Sequence, residues 1–211
     1  MKDLVIIGAG GLAREITWLI EENNKDNVEY NILGYVTKSS EGDLKYPVLG
    51  DDEWLLRYKR EICAVCAIAD PSLRNKVVDK FRGINNISFP GIISKKADIA
   101  DDVFLSQGTI ICSGCILCVK ANVGSFSICD RRTMIGHDSV IDDYVTIHPG
   151  SIISGNVHVG TGTLIGSGAT VIQGLNIGQE SVIGAGATVI TDIPANSVSV
   201  GVPAKVIKWK E

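Results

Sequence analysis

Three histidines occur in the 211 residues, and one of them, His137, is followed by a carboxylate in Asp138. An imidazole beside an acid is a general base whose tautomer and basicity the acid can set. Gly155, eighteen residues further on, could bring a bare backbone N–H next to such a base. A base beside an N–H donor is the minimum that acyl transfer needs. The imidazole takes a proton from an attacking amine or hydroxyl, and the N–H stabilises the oxyanion that forms. The plainer alternative is a solvated surface histidine. His148 follows Asp130 at the same eighteen-residue interval, which offers either an ion pair or an edge of the same cleft. His158 reads as structural.

A second cluster opens the chain. Gly8-Ala9-Gly10-Gly11-Leu12-Ala13 satisfies G-x-G-x-x-A between an apolar run and a helical pattern. Its glycines let backbone N–H groups approach a phosphate at a helix N-terminus. A dinucleotide site would want a carboxylate at the end of the second strand, and Gly34-Tyr35-Val36-Thr37-Lys38 has none. A mononucleotide or nucleotide-sugar site, or a purely structural turn, are the other readings. Cys112-x-x-Cys115-x-x-Cys118 resembles a zinc motif out of context.

What must position these residues is a repeat. From Ile93 to Pro194 the sequence divides into 17 blocks of six, whose first residues run Ile93, Ile99, Leu105, Ile111 and onward to Val189, with Cys129 the one non-aliphatic starter. The fifth position is mostly Ala, Ser, Thr, Cys or Val. Period six suits a short strand plus a corner, and three such units close a triangular coil. The fifth residue of one block and the first of the next lie two apart and both point inward. With coils ~4.8 Å apart, nearly six of them make a prism roughly 27 Å tall. In this register His137 is third in its block, at an outward corner, with Gly155 stacked on it one coil later. The three histidines occupy third, second and sixth positions and do not converge, so no metal is expected. Cys115 points inward while Cys112 and Cys118 face out from different sides, so packing explains that motif.

Residues 1–90 alternate strands and helices. Lys2 to Ile7, Asn31 to Val36 and Ile62 to Ala69 read as strands, with helices over Gly11 to Asn23, Trp54 to Lys59 and, capped by Asp70-Pro71, onward to about Arg82. The fold expected is a small parallel α/β (Rossmann-like) domain over 1–90, followed by a left-handed parallel β-helix over 91–211. The 23 glycines against 4 Phe fit a thin, turn-rich β column. A net charge of −4 offers no basic face for nucleic acid or an acidic membrane surface. No apolar run is long enough to span a bilayer. Met1-Lys2-Asp3-Leu4 is no signal peptide, and six cysteines then read as reduced thiols, which places the chain in the cytoplasm.

Taken together, Ile7-Gly8-Ala9-Gly10-Gly11, Ile135-Gly136-His137-Asp138, Ile153-Ser154-Gly155-Asn156-Val157 and Gly201-Val202-Pro203-Ala204-Lys205 resemble the two-domain bacterial sugar acetyltransferases. These include sialic acid O-acetyltransferases and N-acetyltransferases of UDP- and dTDP-linked 4-amino sugars. The resemblance implies an acetyl-CoA-dependent enzyme with His137 as general base and Asp138 raising its basicity. It implies Gly155 as the backbone donor at the thioester carbonyl. Ser167 and Ala185 would hold the pantetheine arm, with the tail through Lys205 closing over it. Gly10, Gly11 and Leu12 match the nucleotide-sugar phosphate turn, and Ala69 a further acceptor contact. Thr37 and Lys38 stand where well-studied members carry paired aspartates that read the base. Asp130 replaces an asparagine, and Thr146 replaces a histidine that contacts acetyl-CoA, with His148 two residues further on. Family members are trimers with the site between neighbouring columns. The competing functions are acyl transfer to a non-sugar hydroxyl such as serine, and a non-catalytic binding protein.

Overall fold

The computed structural model describes residues 1–38 and 43–210. Five parallel strands build the first layer: β1 (Lys2–Ile7), β2 (Tyr30–Val36), β3 (Val48–Gly50), β4 (Ile62–Cys66) and β5 (Ile87–Ser88), in the order β3-β2-β1-β4-β5. The central strands are apolar throughout because both faces are covered. Leu4 and Ile6 of β1 pack towards α1 (Gly11–Asn24), while Val5 and Ile7 pack towards α2 (Asp52–Arg57) and α3 (Pro71–Asp79). Strand alternation sorts the two sets. Asp70 caps α3 as expected, its side chain accepting from Leu73 N–H at 2.7 Å with Pro71 in the first turn. The short strands β3 and β5 are additions to the sequence reading. Neither exceeds three residues, too few to show alternation.

The column begins at Ile92, four residues after β5 ends at Ser88. Seventeen two-residue strands follow, β6 (Ile92–Ile93) to β22 (Thr188–Val189), each ending on one of the 17 block-starting residues. Pairing is parallel and joins residues eighteen apart, for example Met134↔Ile152 and Val140↔His158. Three faces result. The first runs through Ile110–Ile111, Ile128–Cys129 and Thr146–Ile147, the second through Ile116–Leu117, Met134–Ile135 and Ile152–Ile153, and the third through Asn122–Val123, Val140–Ile141 and His158–Val159. Block-starting residues from Ile111 to Val189 are buried to within 1 % and fill the prism.

The corners obey a rule that the sequence reading did not contain. The fourth residue of every block from Gly108 to Gly186 has positive φ, and seven of these are not glycine: Lys120, Phe126, Arg132, Asp138, Tyr144, Asn156 and Glu180. Each such residue is held against a left-handed penalty of about 1 kcal/mol or more, which the repeated inter-coil hydrogen bonds offset.

The N-terminal half lies against the first face, where the outward-facing Ile92, Ile110, Ile128 and Thr146 are all buried. The second face is left open, with Ile116, Met134 and Ile152 exposed by 42 %, 37 % and 41 %. That covering modifies one cysteine expectation. Cys112 follows Ile111 on the covered face and is buried although it points away from the prism interior, Cys115 is buried inside, and Cys118 is partly exposed. Burial pushes the Cys115 thiol up to about 11 and the Cys66 thiol up to about 12. After the column, β23 (Ser197–Val200) pairs with its last coil, and β24 (Lys205–Trp209) returns antiparallel along β23. Among the described residues no helix is long and apolar enough to cross a membrane.

Candidate active site

His137 sits at the corner between the second and third faces, in the turn joining Met134–Ile135 to Val140–Ile141. Its Nδ1 is 2.8 Å from Asp138 Oδ2. Asp138 occupies a fourth position with φ 57°, and that conformation turns its short side chain back along the corner to the imidazole. The opposite ring edge lies over Gly155. A Cβ built on Gly155 would stand 2.5 Å from His137 Nε2, 2.7 Å from Cε1 and 2.8 Å from Cδ2. Only a residue without a side chain lets the ring lie there. The backbone is pinned as well, since Asn156 N–H donates to His137 O at 2.8 Å and Asp138 N–H to Val119 O at 3.1 Å. The Gly155 N–H has no acceptor among the described residues. The imidazole is about half exposed, at 48 %, so a substrate can reach Nε2. With Nδ1 turned to a carboxylate, Nε2 is the atom left to accept a proton.

The other two histidines fall elsewhere. His158 Nε2 lies 3.0 Å from Asp142 Oδ1 on the third face, an exposed structural pair. His148 and Asp130 stack eighteen apart on the first-face side, yet no ion pair forms between them among the described residues. Asp130 Oδ1 instead accepts from Arg131 N–H at 2.7 Å. Among the described residues no group of three or more His, Cys, Asp or Glu side chains is disposed to hold a metal.

Thr146 needs correction as a residue facing an acyl donor. It is 1 % exposed, and its hydroxyl donates to Ala69 O at 2.7 Å. The threonine ties the column to the loop after β4 and has no surface left for another ligand. Its sixth position in a block, otherwise mostly apolar on this face, gave no sign of that hydroxyl's target.

The remaining candidates divide by place. Gly10 and Gly11 are exposed at the start of α1, and nothing lies within 4 Å of a Cβ built on either. The first N–H groups of the helix, including that of Leu12, therefore open outward. Gly8 has φ 103°, and a Cβ there would meet Ala67 O at 3.1 Å, so the turn after β1 rests on the loop after β4. The strand order reverses between β1 and β4, which makes these two loops the walls of a switch-point crevice. Ala69 belongs to the second loop. Thr37 and Lys38 follow β2, Thr37 half-buried with its N–H on Gly50 O at 2.8 Å and Lys38 exposed.

Ser167 and Ala185 stack eighteen apart at the corner between the first and second faces, both exposed. The Gly201–Lys205 tail crosses just above this region, with Thr188 N–H on Gly201 O at 3.0 Å and Ala204 N–H on Thr188 O at 2.8 Å. The structure thus brings His137, Asp138 and Gly155 together. It places Ser167, Ala185 and the tail across the second face from them, and Gly10, Gly11, Leu12 and Ala69 on the half that covers the first face. Sequence reasoning missed Arg74, a buried arginine of α3 bonded to five backbone carbonyls. A basic residue in a helix carries no signal of such a role.

Comparison with known proteins follows the same division. Residues 3–81 match the PglD N-terminal domain family, and residues 138–173 match the bacterial transferase hexapeptide family of six repeats. By these matches the chain is similar to a PglD N-terminal domain followed by bacterial transferase hexapeptide repeats. Over 111 residues it is 31 % identical to the GDP-perosamine N-acetyltransferase of Escherichia coli O157:H7, covering 52 % of this chain and 49 % of that protein. The chain therefore spans about half the length of that curated relative. PerB of Caulobacter crescentus, solved with CoA and GDP-perosamine, superposes with a TM-score of 0.86 at 29 % identity, over 99 % of this chain and 98 % of that one. The acetyltransferase domain of PglB from Neisseria gonorrhoeae, solved with acetyl coenzyme A, shares the fold with a TM-score of 0.91 at 24 % identity, over 98 % and 99 % of the two chains.

Proposed function

We propose that the chain is an acetyl-CoA-dependent N-acetyltransferase of a nucleotide-linked amino sugar, working by direct transfer. The observation that carries this reading is the imidazole of His137, bonded through Nδ1 to Asp138 and laid over the bare Cα of Gly155. In the proposed reaction the acceptor nitrogen attacks the thioester carbonyl carbon while Nε2 takes its proton. The carbonyl oxygen, now anionic, is met by the Gly155 N–H. Collapse breaks the C–S bond, and the imidazolium returns the proton to the departing CoA thiolate. Asp138 stabilises the imidazolium and holds the tautomer. Ser167, Ala185 and the tail to Lys205 hold the pantetheine arm through backbone groups, with His148 at the edge of the donor groove. Gly10, Gly11, Leu12 and Ala69 receive the phosphates and sugar, and Thr37 and Lys38 face the base.

The base and the donor groups lie on different edges of one column and the acceptor groups on the N-terminal half, so the working site is shared. The exposed stripe of Ile116, Met134 and Ile152 supports closing the second face against a neighbouring copy. A homotrimer sets the base corner of one column beside the donor corner of the next. Acetyl-CoA as donor and six unpaired thiols fit a cytoplasmic enzyme. The test is CoA release, followed with a thiol reagent, over UDP-, dTDP- and GDP-amino sugars, sialic acid and serine. Release should depend on an amino sugar, and His137→Ala should remove most turnover while leaving acetyl-CoA affinity near normal. Near-normal turnover in that variant refutes the assignment, and preference for serine refutes the acceptor class.

A further inference from the structure

Arg74 is 1 % exposed, and among the described residues no carboxylate lies within ion-pair distance of it. Its guanidinium donates to backbone alone: Nε to Phe126 O at 2.8 Å, Nη1 to Ile68 O at 2.7 Å and Ala69 O at 3.0 Å, Nη2 to Tyr144 O at 2.8 Å and Val145 O at 3.3 Å. Burial draws the group down to about 10, which leaves it charged at neutral pH. A buried cation without a counter-ion is a poor way to gain stability, and an apolar side chain of similar volume would commonly serve as well or better. A planar fork that reaches two places at once is what arginine adds. One branch holds the loop after β4, and the other holds two successive levels of the column corner. Thr146 grips the same loop from the column, its hydroxyl on Ala69 O. The loop in turn carries the glycine turn, because Gly8 packs on Ala67 O.

We propose that Arg74 is a positioning residue for the acceptor: through the Ile68 and Ala69 carbonyls it fixes the crevice between the loops after β1 and β4 relative to the column, and so sets acceptor binding without touching the acyl donor. The proposal rests on the reading of that crevice as the acceptor site. Lysine cannot replace this arginine, since one ammonium cannot span the loop and both corner levels. The base and the corner that carries Ser167 and Ala185 border the open second face, apart from the carbonyls that Arg74 holds.

Two variants test it in the full-length protein. Arg74→Lys keeps the charge and loses the fork; Thr146→Val keeps the shape and loses the second tie to Ala69. In both, KM for the amino-sugar nucleotide should rise, by roughly tenfold to a hundredfold for the arginine variant and less for the threonine variant. KM for acetyl-CoA and the slow release of CoA without acceptor should stay within about twofold of wild type. A fall in melting temperature with both KM values unchanged, or an equal rise in both, overturns the proposal. If Arg74→Lys yields no folded protein, Thr146→Val decides alone, and an unchanged acceptor KM there overturns the proposal too. A wild-type chain that releases no CoA with any amino sugar overturns the proposed function and this inference together. Wild-type turnover with acceptor KM untouched in the variants overturns this inference alone.

Discussion

Adding one methyl group at Gly155 is the sharpest test of the site. A Cβ there would stand 2.5 Å from Nε2 of His137 and under 3 Å from two further ring atoms, whereas carbon contacts settle at about 3.5 Å or more. The ring must therefore withdraw by about 1 Å, and it can do so, being half exposed with solvent beyond it. Folding should hardly register the change. Gly155 is not among the positive-φ glycines, and the colliding atoms are the free end of a side chain rather than backbone. Catalysis should register it strongly, because a base displaced by about 1 Å can lose on the order of a hundredfold in rate, which is roughly 2.7 kcal/mol of transition-state stabilisation. Gly155→Ala should thus lower kcat by about that factor, with acetyl-CoA binding by calorimetry and the melting temperature near wild type. Combining Gly155→Ala with His137→Ala should cost little beyond His137→Ala alone, since both changes remove the same positioned base. Full activity in Gly155→Ala, or additive losses in the double variant, would refute the reasoning.

Replacing Met134 by Asp puts a charge in the middle of the exposed apolar stripe of the second face; in sedimentation the particle should shift from the proposed trimer to the 22.5 kDa chain, with activity lost in parallel. Glu22 is held down to about 2 by its bonds to Lys25 and Lys96, and a carboxylate depressed on folding adds stability above its ordinary value of 4.5 that fades as pH falls from there through 2. Glu22→Gln should lower the melting temperature slightly at neutral pH, where the charged form contributes, and converge on wild type as pH falls to about 2, so that the pH dependence flattens in that window. Asp138→Gly should be nearly neutral in melting temperature, because the left-handed strain it relieves, about 1 kcal/mol, is offset by the similar chain entropy of glycine. Its kcat should nevertheless drop at least tenfold from loss of the carboxylate at Nδ1; matched losses of stability and activity would contradict the assignment.

The column was legible because its repeat repeats every constraint. An aliphatic residue at sixteen of the seventeen block starts records the prism interior over and over, and that register alone lays Gly155 on His137. The glycine turn was legible for a similar reason, as a strand, a turn and a helix each carry their own periodicity. What stayed hidden lies between the two halves. Cys112 and Thr146 occupy outward positions that would be exposed on a bare column and are buried only because the N-terminal half covers the first face. The docking of Arg74 onto carbonyls at 126, 144 and 145 involves backbone acceptors, which no side-chain pattern marks. The His148–Asp130 pair failed for a local reason: stacking sets the backbones in register, but the Asp130 carboxylate turns to the amide of its own neighbour.

The same repetition explains how little the proposed chemistry demands of the fold. Every corner from Gly108 to Gly186 places its fourth residue at positive φ, so the bend that brings Asp138 onto Nδ1 of His137 exists at corners with no reactive group at all. Asn156 and Lys120 occupy the equivalent places one coil after and one coil before it. A general base with its partner acid then requires a histidine at a third position, an acid at the fourth, and a glycine one coil on. What such a corner lacks is a second substrate, for it opens to solvent on one side and to an uncovered apolar face on the other. The proposed acceptor groups lie on the half that covers the first face, whereas this corner stands between the second and third. On the proposed reading the column supplies the chemistry cheaply, and a contact between chains delivers the sugar to it.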